Sequence, residues 1–239
     1  MRRKDKERQK EADIRTADAF QALQLTEDSP FAFQEAFRSL RTNLSFSMIG
    51  KKVIGIISAA QHEGKTSTAI NLGISFAQIG KKVLVVDCDL RCPTVAQKLE
   101  VPQKPGFTDH IIGQASFEEA IRRVDCANVD FMPAGTLPPD PSMILNSVLV
   151  GFFLKKVAQT YDLVIIDLPP VNPVADAAML STHGINGFIM VVRHGVSDIR
   201  QVEEAVKRMQ RVGAELLGFV YNDKPVDAAK GRYYRYHYG

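Results

Sequence analysis

The stretch Val53-Ile-Gly-Ile-Ile-Ser-Ala-Ala-Gln-His-Glu-Gly-Lys-Thr66 decides how this chain folds. Four of its first five residues are large and apolar, which predicts a strand buried on both faces. A short polar turn follows, and residues 67–78 then carry apolar side chains at helical spacing. Strand, turn and helix in this order favour a phosphate-binding loop, because backbone N–H groups at a helix N-terminus attract anions and Lys65 adds a positive charge.

The turn departs from the common Gly-x-x-x-x-Gly-Lys-Ser/Thr pattern, since Ala59 stands where the first glycine is expected. The alternative interpretation is a chance Gly-Lys-Thr at the start of an ordinary helix. The motifs in the rest of the chain decide between the two.

Composition indicates one large α/β domain. The 239 residues are 45 % apolar and carry a formal net charge of +3, which gives no electrostatic case for nucleic-acid binding. No apolar run approaches the roughly 20 residues of a membrane span, and the charged N-terminus does not resemble a signal peptide, so a cytosolic location is expected. Cys88, Cys92 and Cys126 are interpreted as reduced structural thiols rather than zinc ligands.

Two further predicted strands end in carboxylates. Val83–Val86 leads into Asp87 and Asp89, and residues 163–166 lead into Asp167 and two prolines. Open parallel sheets bind ligands beyond the carboxyl ends of their strands, so these side chains are expected near the phosphate loop. Asp167 then resembles a Walker B carboxylate, which reaches Mg²⁺ directly or through water. The alternative for each carboxylate is a side chain that only caps a turn.

A helix is predicted at Phe31–Met48, because apolar side chains recur along it every three or four residues. Glu35, Arg38 and Arg41 lie on another stripe of the same helix. One interpretation is a solvated face with an intrahelical Glu–Arg pair, worth roughly a few tenths of a kcal/mol. The other is a contact with another subunit, because arginine suits ion pairs at interfaces.

The last predicted elements are a helix from a Ser197 cap to Arg211 and a strand at Leu216–Tyr221. Asn222 follows that strand, where nucleotide folds often hold the base; a simple turn residue is an equal alternative. Four of the six tyrosines then fall in the last seven residues. Such a tail could stack on bases, bind a partner, or present phenol hydroxyls to an active site.

Together these motifs resemble the bacterial tyrosine kinases (BY-kinases) that govern capsular and extracellular polysaccharide synthesis, over roughly residues 30–239. Ser58 and the segment Glu63-Gly64-Lys65-Thr66 fit the nucleotide loop of that family, although Gln61 and His62 replace its Pro-Gly. The other matches are the acidic motif at residues 85–93, Ile-Ile-Asp-Leu-Pro-Pro at 165–170, the helix Glu35-x-x-Arg38-x-x-Arg41, and the tail tyrosines.

The resemblance implies an α/β fold with a mostly parallel sheet flanked by helices on both faces, of the P-loop NTPase class with a deviant Walker A motif. It implies a protein-tyrosine kinase that uses ATP and Mg²⁺ and phosphorylates its own tail in trans. The implied nucleotide-binding residues are Glu63, Gly64, Lys65, Thr66, Ser67 and Asn222. The implied metal ligands are Thr66, Asp87 and Asp167. The implied catalytic residues are Lys65, Asp87 and Asp89. The implied phosphate acceptors are Tyr233, Tyr234, Tyr236 and Tyr238.

The expected organisation is a flexible arm at residues 1–29, a kinase domain at 30–228 and a flexible tyrosine-rich tail at 229–239. The resemblance implies a ring-like homo-oligomer through Glu35, Arg38 and Arg41, a membrane-anchored activator (a polysaccharide co-polymerase subunit) and a cognate tyrosine phosphatase, with no nucleic acid. The chain is then expected in the cytoplasm, at the inner face of the membrane through its activator.

Two other functions compete with this interpretation. Partition and division-site ATPases share the fold and the Asp motifs, but they carry a lysine where this chain has Ala60. A catalytically weak regulatory scaffold is the second, because of the Gln61-His62 replacement. A glycine at position 62 adopts a positive φ freely, whereas histidine does so at a cost.

Overall fold

The computed structural model describes residues 24–123, 129–172 and 180–223. Its strands are β1 (Val53–Ser58), β2 (Val83–Asp87), β3 (Arg122–Arg123), β4 (Val129–Met132), β5 (Leu163–Asp167), β6 (Gly187–Arg193) and β7 (Leu216–Asn222). Its α-helices are α1 (Phe31–Ser47), α2 (Lys65–Ala77), α3 (Val95–Leu99), α4 (Phe107–Ile111), α5 (Phe117–Ala120), α6 (Pro141–Leu145), α7 (Val148–Thr160) and α8 (Ile199–Arg211), with a 3₁₀ turn at Ser181–His183.

The seven strands of the described chain form one sheet in the order β3-β4-β2-β5-β1-β6-β7. Every neighbouring pair is parallel except β3 and β4, which are antiparallel. The predicted α/β fold with a mostly parallel sheet is therefore confirmed. Strand β1 lies between β5 and β6, which places the phosphate loop near the middle of the sheet edge.

Helices cover both faces of the sheet. All six residues of β1 are buried, and successive side chains enter opposite cores: Ile54 and Ile56 pack in one, Val53 and Ile57 in the other. The first core also contains side chains of α1, α2 and α3, and the second contains side chains of α4, α6, α7 and α8. A strand covered on both faces has no solvent side, which explains its continuous apolar sequence.

Some element boundaries differ from those predicted. Helix α5 ends at Ala120, and Arg122–Arg123 joins the sheet, where Arg123 Nε lies 2.9 Å from Asp130 Oδ1. Asp198, not Ser197, caps α8, because its carboxylate accepts the N–H groups of Arg200 and Gln201. Ser197 has a different partner, described below.

Several sequence predictions fall on residues that the structure does not describe. These are most of the predicted arm (1–23), Cys126, and residues 224–239, which include the whole predicted tail at 229–239. Within the described ranges, no helix combines the length and the apolar character that crossing a bilayer requires. Cys88 and Cys92 are free thiols, the first buried and the second exposed.

Gly73 in α2 and Gly151 in α7 offer a matched test of the packing of α2 on the sheet. A Cβ at Gly73 would lie 2.7 Å from Val85 Cγ2, whereas the nearest atom to one at Gly151 would be 3.6 Å away. We expect Gly73→Ala to lower the free energy of unfolding by about 1–3 kcal/mol. Gly151→Ala should raise it by about 0.5–1 kcal/mol, because alanine favours helix. Urea titration measures both, and a stable Gly73→Ala protein would contradict the close packing.

Candidate active site

The turn between β1 and α2 has the shape of an anion-binding loop. Gly64 caps α2 with a φ of +95°, and a Cβ there would lie 2.1 Å from Asn222 Nδ2, so only glycine fits. The first turn of α2 closes with Thr68 N–H donating to Gly64 O at 3.0 Å. The N–H groups before this bond have no partner within a helix, and they are the donors that such loops offer to phosphate.

His62 occupies the strained position of this loop. Its φ is +62°, the left-handed conformation that glycine would adopt freely. Its carbonyl oxygen accepts a hydrogen bond from Arg193 Nη1 at 2.8 Å. Position 62 therefore adopts a left-handed conformation although it is a histidine.

Glu63 is buried and holds the loop to the strands beside it. Its carboxylate accepts the N–H of Ala60 at 2.9 Å and the hydroxyl of Ser197, and its carbonyl accepts Asn222 Nδ2 at 3.1 Å. The Glu63 side chain is thus bonded within the protein. These contacts indicate that Glu63 and Asn222 shape the loop, in addition to any contact with a nucleotide.

Asp87 and Asp167 meet beside the loop because their strands are neighbours in register. Asp87 Oδ2 accepts the N–H groups of Thr94 and Val95 at 3.1 and 3.0 Å. Asp167 Oδ2 accepts the Thr66 hydroxyl at 2.6 Å, and Thr66 Oγ1 in turn accepts Thr94 Oγ1–H at 2.7 Å. The two carboxylates and the Thr66 hydroxyl are the oxygen ligands that Mg²⁺ prefers.

Burial makes the charge on these carboxylates costly. Burial raises the pKa of Asp167 to about 6, although Lys65 and the Thr66 hydrogen bond act in the opposite direction. Burial and the neighbouring Asp167 raise the pKa of Asp87 well above its usual value. Asp167 Oδ1 is buried without a hydrogen-bond partner among the described residues. A divalent cation fits this arrangement, because it would neutralise the pair and coordinate the unpartnered oxygen.

Lys65 and Asp89 lie across the loop from each other. Lys65 Nζ is 3.9 Å from Asp89 Oδ2, and both side chains are nearly buried. Asp89 Oδ1 accepts the N–H of Cys92 at 3.2 Å. Burial raises the pKa of Asp89, and Lys65 partly opposes that shift. A carboxylate with a raised pKa beside a cation is suited to accept a proton near neutral pH.

A cavity of about 500 Å³ opens over the loop. Its walls include Gly64, Lys65, Thr66 and Ser67 of the loop and α2, Asp89 and Thr94 after β2, and Arg193, Asn222 and Asp223 from the ends of β6 and β7. The structure therefore brings most of the predicted nucleotide-binding residues to one opening. This volume falls within the range typical of small-ligand sites.

The predicted oligomer face divides into two environments. Arg38 Nη1 pairs with Glu35 Oε1 at 2.6 Å, and the Arg38 side chain is 57 % exposed. Arg41 instead donates to the backbone oxygen of Ser75 at 2.5 Å and to Ser75 Oγ at 3.1 Å. Arg41 therefore fastens α1 to α2, and Arg38 is the arginine of the stripe that solvent reaches.

Sequence reasoning missed three residues of the site. Thr94 orders the Thr66 hydroxyl, Ser197 bonds the Glu63 carboxylate, and Arg193 bonds the His62 carbonyl. The signals were weak. Arg193 is the charged residue that ends the apolar run of β6, and Ser197 looked like an ordinary helix cap.

We expect Asp167→Asn to stabilise the ligand-free protein. A carboxyl whose pKa is raised on folding destabilises the native state above that pKa, so a neutral amide should raise the free energy of unfolding at pH 7.5 by about 1–3 kcal/mol. The gain should shrink as the pH falls below about 6, where Asp167 itself becomes neutral. The same substitution should remove the extra thermal stability that Mg²⁺ with nucleotide confers.

Asp130→Asn is the matched control. Asp130 is also buried, but it accepts the Tyr161 hydroxyl at 2.6 Å and pairs with Arg123. Its replacement should destabilise the protein and leave its response to Mg²⁺ intact. Equal destabilisation by both substitutions, in thermal melts between pH 5 and 8, would contradict the unfavourable charge at Asp167.

Comparison with known proteins places this site in a family. Residues 51–215 match the family described as AAA domain. The chain is 34 % identical over 192 residues to tyrosine-protein kinase YwqD of Bacillus subtilis, and the match covers 80 % of this chain and 81 % of that protein. The solved structure of the chimerical protein CapA2B2 is similar with a TM-score of 0.78 at 31 % identity, covering 83 % of this chain and 87 % of that one.

A more distant likeness shows how widely the fold is shared. The septum site-determining protein MinD of Pyrococcus horikoshii, solved with Mg-ADP, has a TM-score of 0.60 at 23 % identity and covers 76 % of each chain. At that identity the likeness concerns the fold alone. The fold is that of the P-loop NTPases, and on the identity and coverage of its relatives this chain belongs to the bacterial tyrosine kinases, the BY-kinases.

Proposed function

We propose that the chain is an ATP-dependent protein-tyrosine autokinase that phosphorylates its C-terminal tyrosines in trans and regulates capsular or extracellular polysaccharide synthesis. The observation that carries this proposal is the cavity over the phosphate loop, where Lys65, Thr66 and Asp89 face one opening beside the Asp87–Asp167 pair. Membership of the tyrosine-kinase family supports tyrosine as the residue that accepts the phosphoryl group.

ATP would place its phosphates in the loop that begins α2. Backbone N–H groups of residues 62–67 and the ammonium of Lys65 would bind the β- and γ-phosphates. Thr66, Asp87 and Asp167 would hold Mg²⁺. The bound ion would neutralise negative charge on the γ-phosphoryl group during its transfer. Asp167 Oδ1 supports this assignment, because it is buried and has no hydrogen-bond partner among the residues that the structure describes.

The chain's own residues then have separate roles in the transfer. Lys65 stabilises charge on the phosphoryl oxygens. As the bond from the tyrosine oxygen to the γ-phosphorus forms and the bond to the β-phosphate oxygen breaks, Asp89 orients the phenol and accepts its proton, and ADP leaves. A phenol of pKa near ~10 needs less activation than an aliphatic hydroxyl. Positioning of the reactants and neutralisation of charge account for most of the remaining catalysis of phosphoryl transfer.

The acceptors would be Tyr233, Tyr234, Tyr236 and Tyr238, delivered by the tail of a neighbouring copy. Each phosphotyrosine adds about −2 charge, so a modified tail would repel its neighbours and loosen a ring of subunits. A membrane-anchored activator of the co-polymerase kind would hold the chain at the inner face of the membrane, and a tyrosine phosphatase would reverse the modification. The resemblance to the family supports these partners.

One observation favours a second candidate, a regulatory scaffold with weak catalysis. His62 holds a positive φ at the position where glycine would be relaxed, so the loop is costlier to form. Measured ATP turnover by the purified protein, with and without an activator peptide, separates the scaffold from the kinase. A division-type ATPase has less support, since Ala60 stands where that class carries its lysine.

Lys65→Met tests the kinase directly. We expect the substitution to abolish Mg·ATP-dependent tyrosine phosphorylation, because the loop loses its full positive charge. Lys81→Met is the matched control: Lys81 is an exposed lysine that lies outside the cavity, and its loss should leave labelling unchanged. Phosphotyrosine blotting and mass-spectrometric mapping measure the outcome.

Removal of residues 231–239 completes that test. Labelling of the shortened chain should fall to a few per cent while nucleotide binding persists, and the shortened chain should phosphorylate a Lys65→Met protein in a mixture. Persistent labelling of Lys65→Met alone would show that the site is wrongly assigned, and labelling that maps away from the tail would contradict the proposed acceptors.

Arg38→Ala tests the ring. Because Arg38 is exposed and pairs within α1, its loss should reduce the mass of the oligomer in light scattering and leave the melting temperature unchanged. Arg41→Ala should lower the melting temperature as well, since it removes the bonds between α1 and α2. An unchanged mass for Arg38→Ala would mean that this stripe is a solvated face.

A further inference from the structure

Two residues that line the cavity have a strained backbone conformation. In the described ranges the non-glycine residues with a positive φ are His62 (+62°), Glu100 (+55°) and Asp223 (+55°). Such a conformation costs energy and persists where the surroundings fix it. His62 lies in the phosphate loop and Asp223 directly after β7, and both line the same opening.

Arg193 bonds both of these residues. Its Nη1 donates to the His62 carbonyl at 2.8 Å, and its Nε donates to Asp223 Oδ2 at 2.6 Å. The guanidinium is planar and rigid, so two bonds from one group set the separation of the two partners. A single side chain from the end of β6 therefore joins the phosphate loop to the end of β7.

We propose that Arg193 is a positioning residue, which holds the phosphate loop in its nucleotide-binding shape by fixing the His62 carbonyl, with Asp223 as its anchor. The inference rests on the proposed function only in taking a nucleotide as the ligand of the loop. The bond from Arg193 offsets a strain that a glycine at position 62 would not have, because glycine reaches the left-handed conformation without a steric cost.

The backbone of Arg193 serves the same loop by an independent route. Its N–H donates to Ser197 Oγ at 2.8 Å, and the Ser197 hydroxyl donates to Glu63. This route survives any change of the Arg193 side chain. Substitution therefore removes the contact to His62 while the Glu63 contact remains, which makes Arg193→Ala a clean test.

The exposure of the ion pair predicts where the effect appears. The side chains of Arg193 and Asp223 are 37 % and 52 % exposed, and exposed pairs contribute little to global stability. Loss of Arg193 should therefore weaken nucleotide binding far more than it lowers the melting temperature. An arginine with a purely structural role would do the reverse.

A double-mutant cycle distinguishes positioning from direct contact with the nucleotide. The full chain is titrated with Mg²⁺ and a fluorescent N-methylanthraniloyl derivative of ATP. Arg193→Ala should weaken binding roughly tenfold, as for loss of a charged hydrogen bond. In a His62→Gly background the same change should cost about twofold or less, because glycine lacks the steric strain that the Arg193 bond offsets at histidine.

Controls isolate the guanidinium. Arg193→Lys should recover part of the affinity, since it restores one donor but not the rigid fork. Asp223→Asn should weaken binding by about two- to fivefold and reduce its dependence on salt, because the ion pair is lost. Arg200→Ala, an exposed arginine outside the cavity, should bind as the unmodified chain does.

A second measurement needs no nucleotide. Amide hydrogen exchange at residues 60–64 of the ligand-free protein should accelerate in Arg193→Ala, and the same change should accelerate it less in a His62→Gly background. Unchanged exchange overturns the proposal, as does an equal loss of affinity in both backgrounds, which would mean direct contact with the nucleotide. If the unmodified chain binds no nucleotide, the proposed function fails, and the exchange experiment still decides the role of Arg193.

Discussion

Asp87 and Asp167 are buried side by side at the ends of neighbouring strands. The neighbouring groups of the site interact with these two carboxylates, whose burial is energetically unfavourable. Burial removes the hydration of both carboxylates and raises the pKa of each, and repulsion from Asp167 raises the pKa of Asp87 further. Backbone N–H groups and the Thr66 hydroxyl meet some of their oxygens, but Asp167 Oδ1 remains without a partner among the described residues. A protein keeps such a pair where function uses the unsatisfied charge, and a divalent cation with its phosphates is the ligand that this pair suits.

The phosphate loop depends on strands that are distant in sequence. Glu63 is bonded by Ser197 and Asn222, and His62 by Arg193, so the ends of β6 and β7 brace a loop that follows β1. This explains how a loop without the expected glycine at position 62 keeps its shape.

On α1, the two arginines of the Glu35–Arg38–Arg41 stripe have different environments. Arg38 and Arg41 are three residues apart and look equivalent in the sequence. The structure exposes Arg38 and directs Arg41 into hydrogen bonds with Ser75, because α1 packs against α2 along one edge of its stripe. The stripe thus contains one arginine that joins α1 to α2 beside another that is exposed to solvent.

The sequence by itself determined the parallel sheet, the loop at Val53–Thr66 and the carboxylates at strand ends, because apolar runs and Gly-Lys-Thr are local signals that need no knowledge of distant contacts. Asp87, Asp89 and Asp167 were predicted together for the same reason, since the ends of parallel strands share an edge. Only the tertiary structure decided the partners of Arg193, Ser197 and Thr94, which come from separate elements. It also decided that His62 adopts a positive φ, because its carbonyl is held by a bond from Arg193, which is 131 positions away in the sequence.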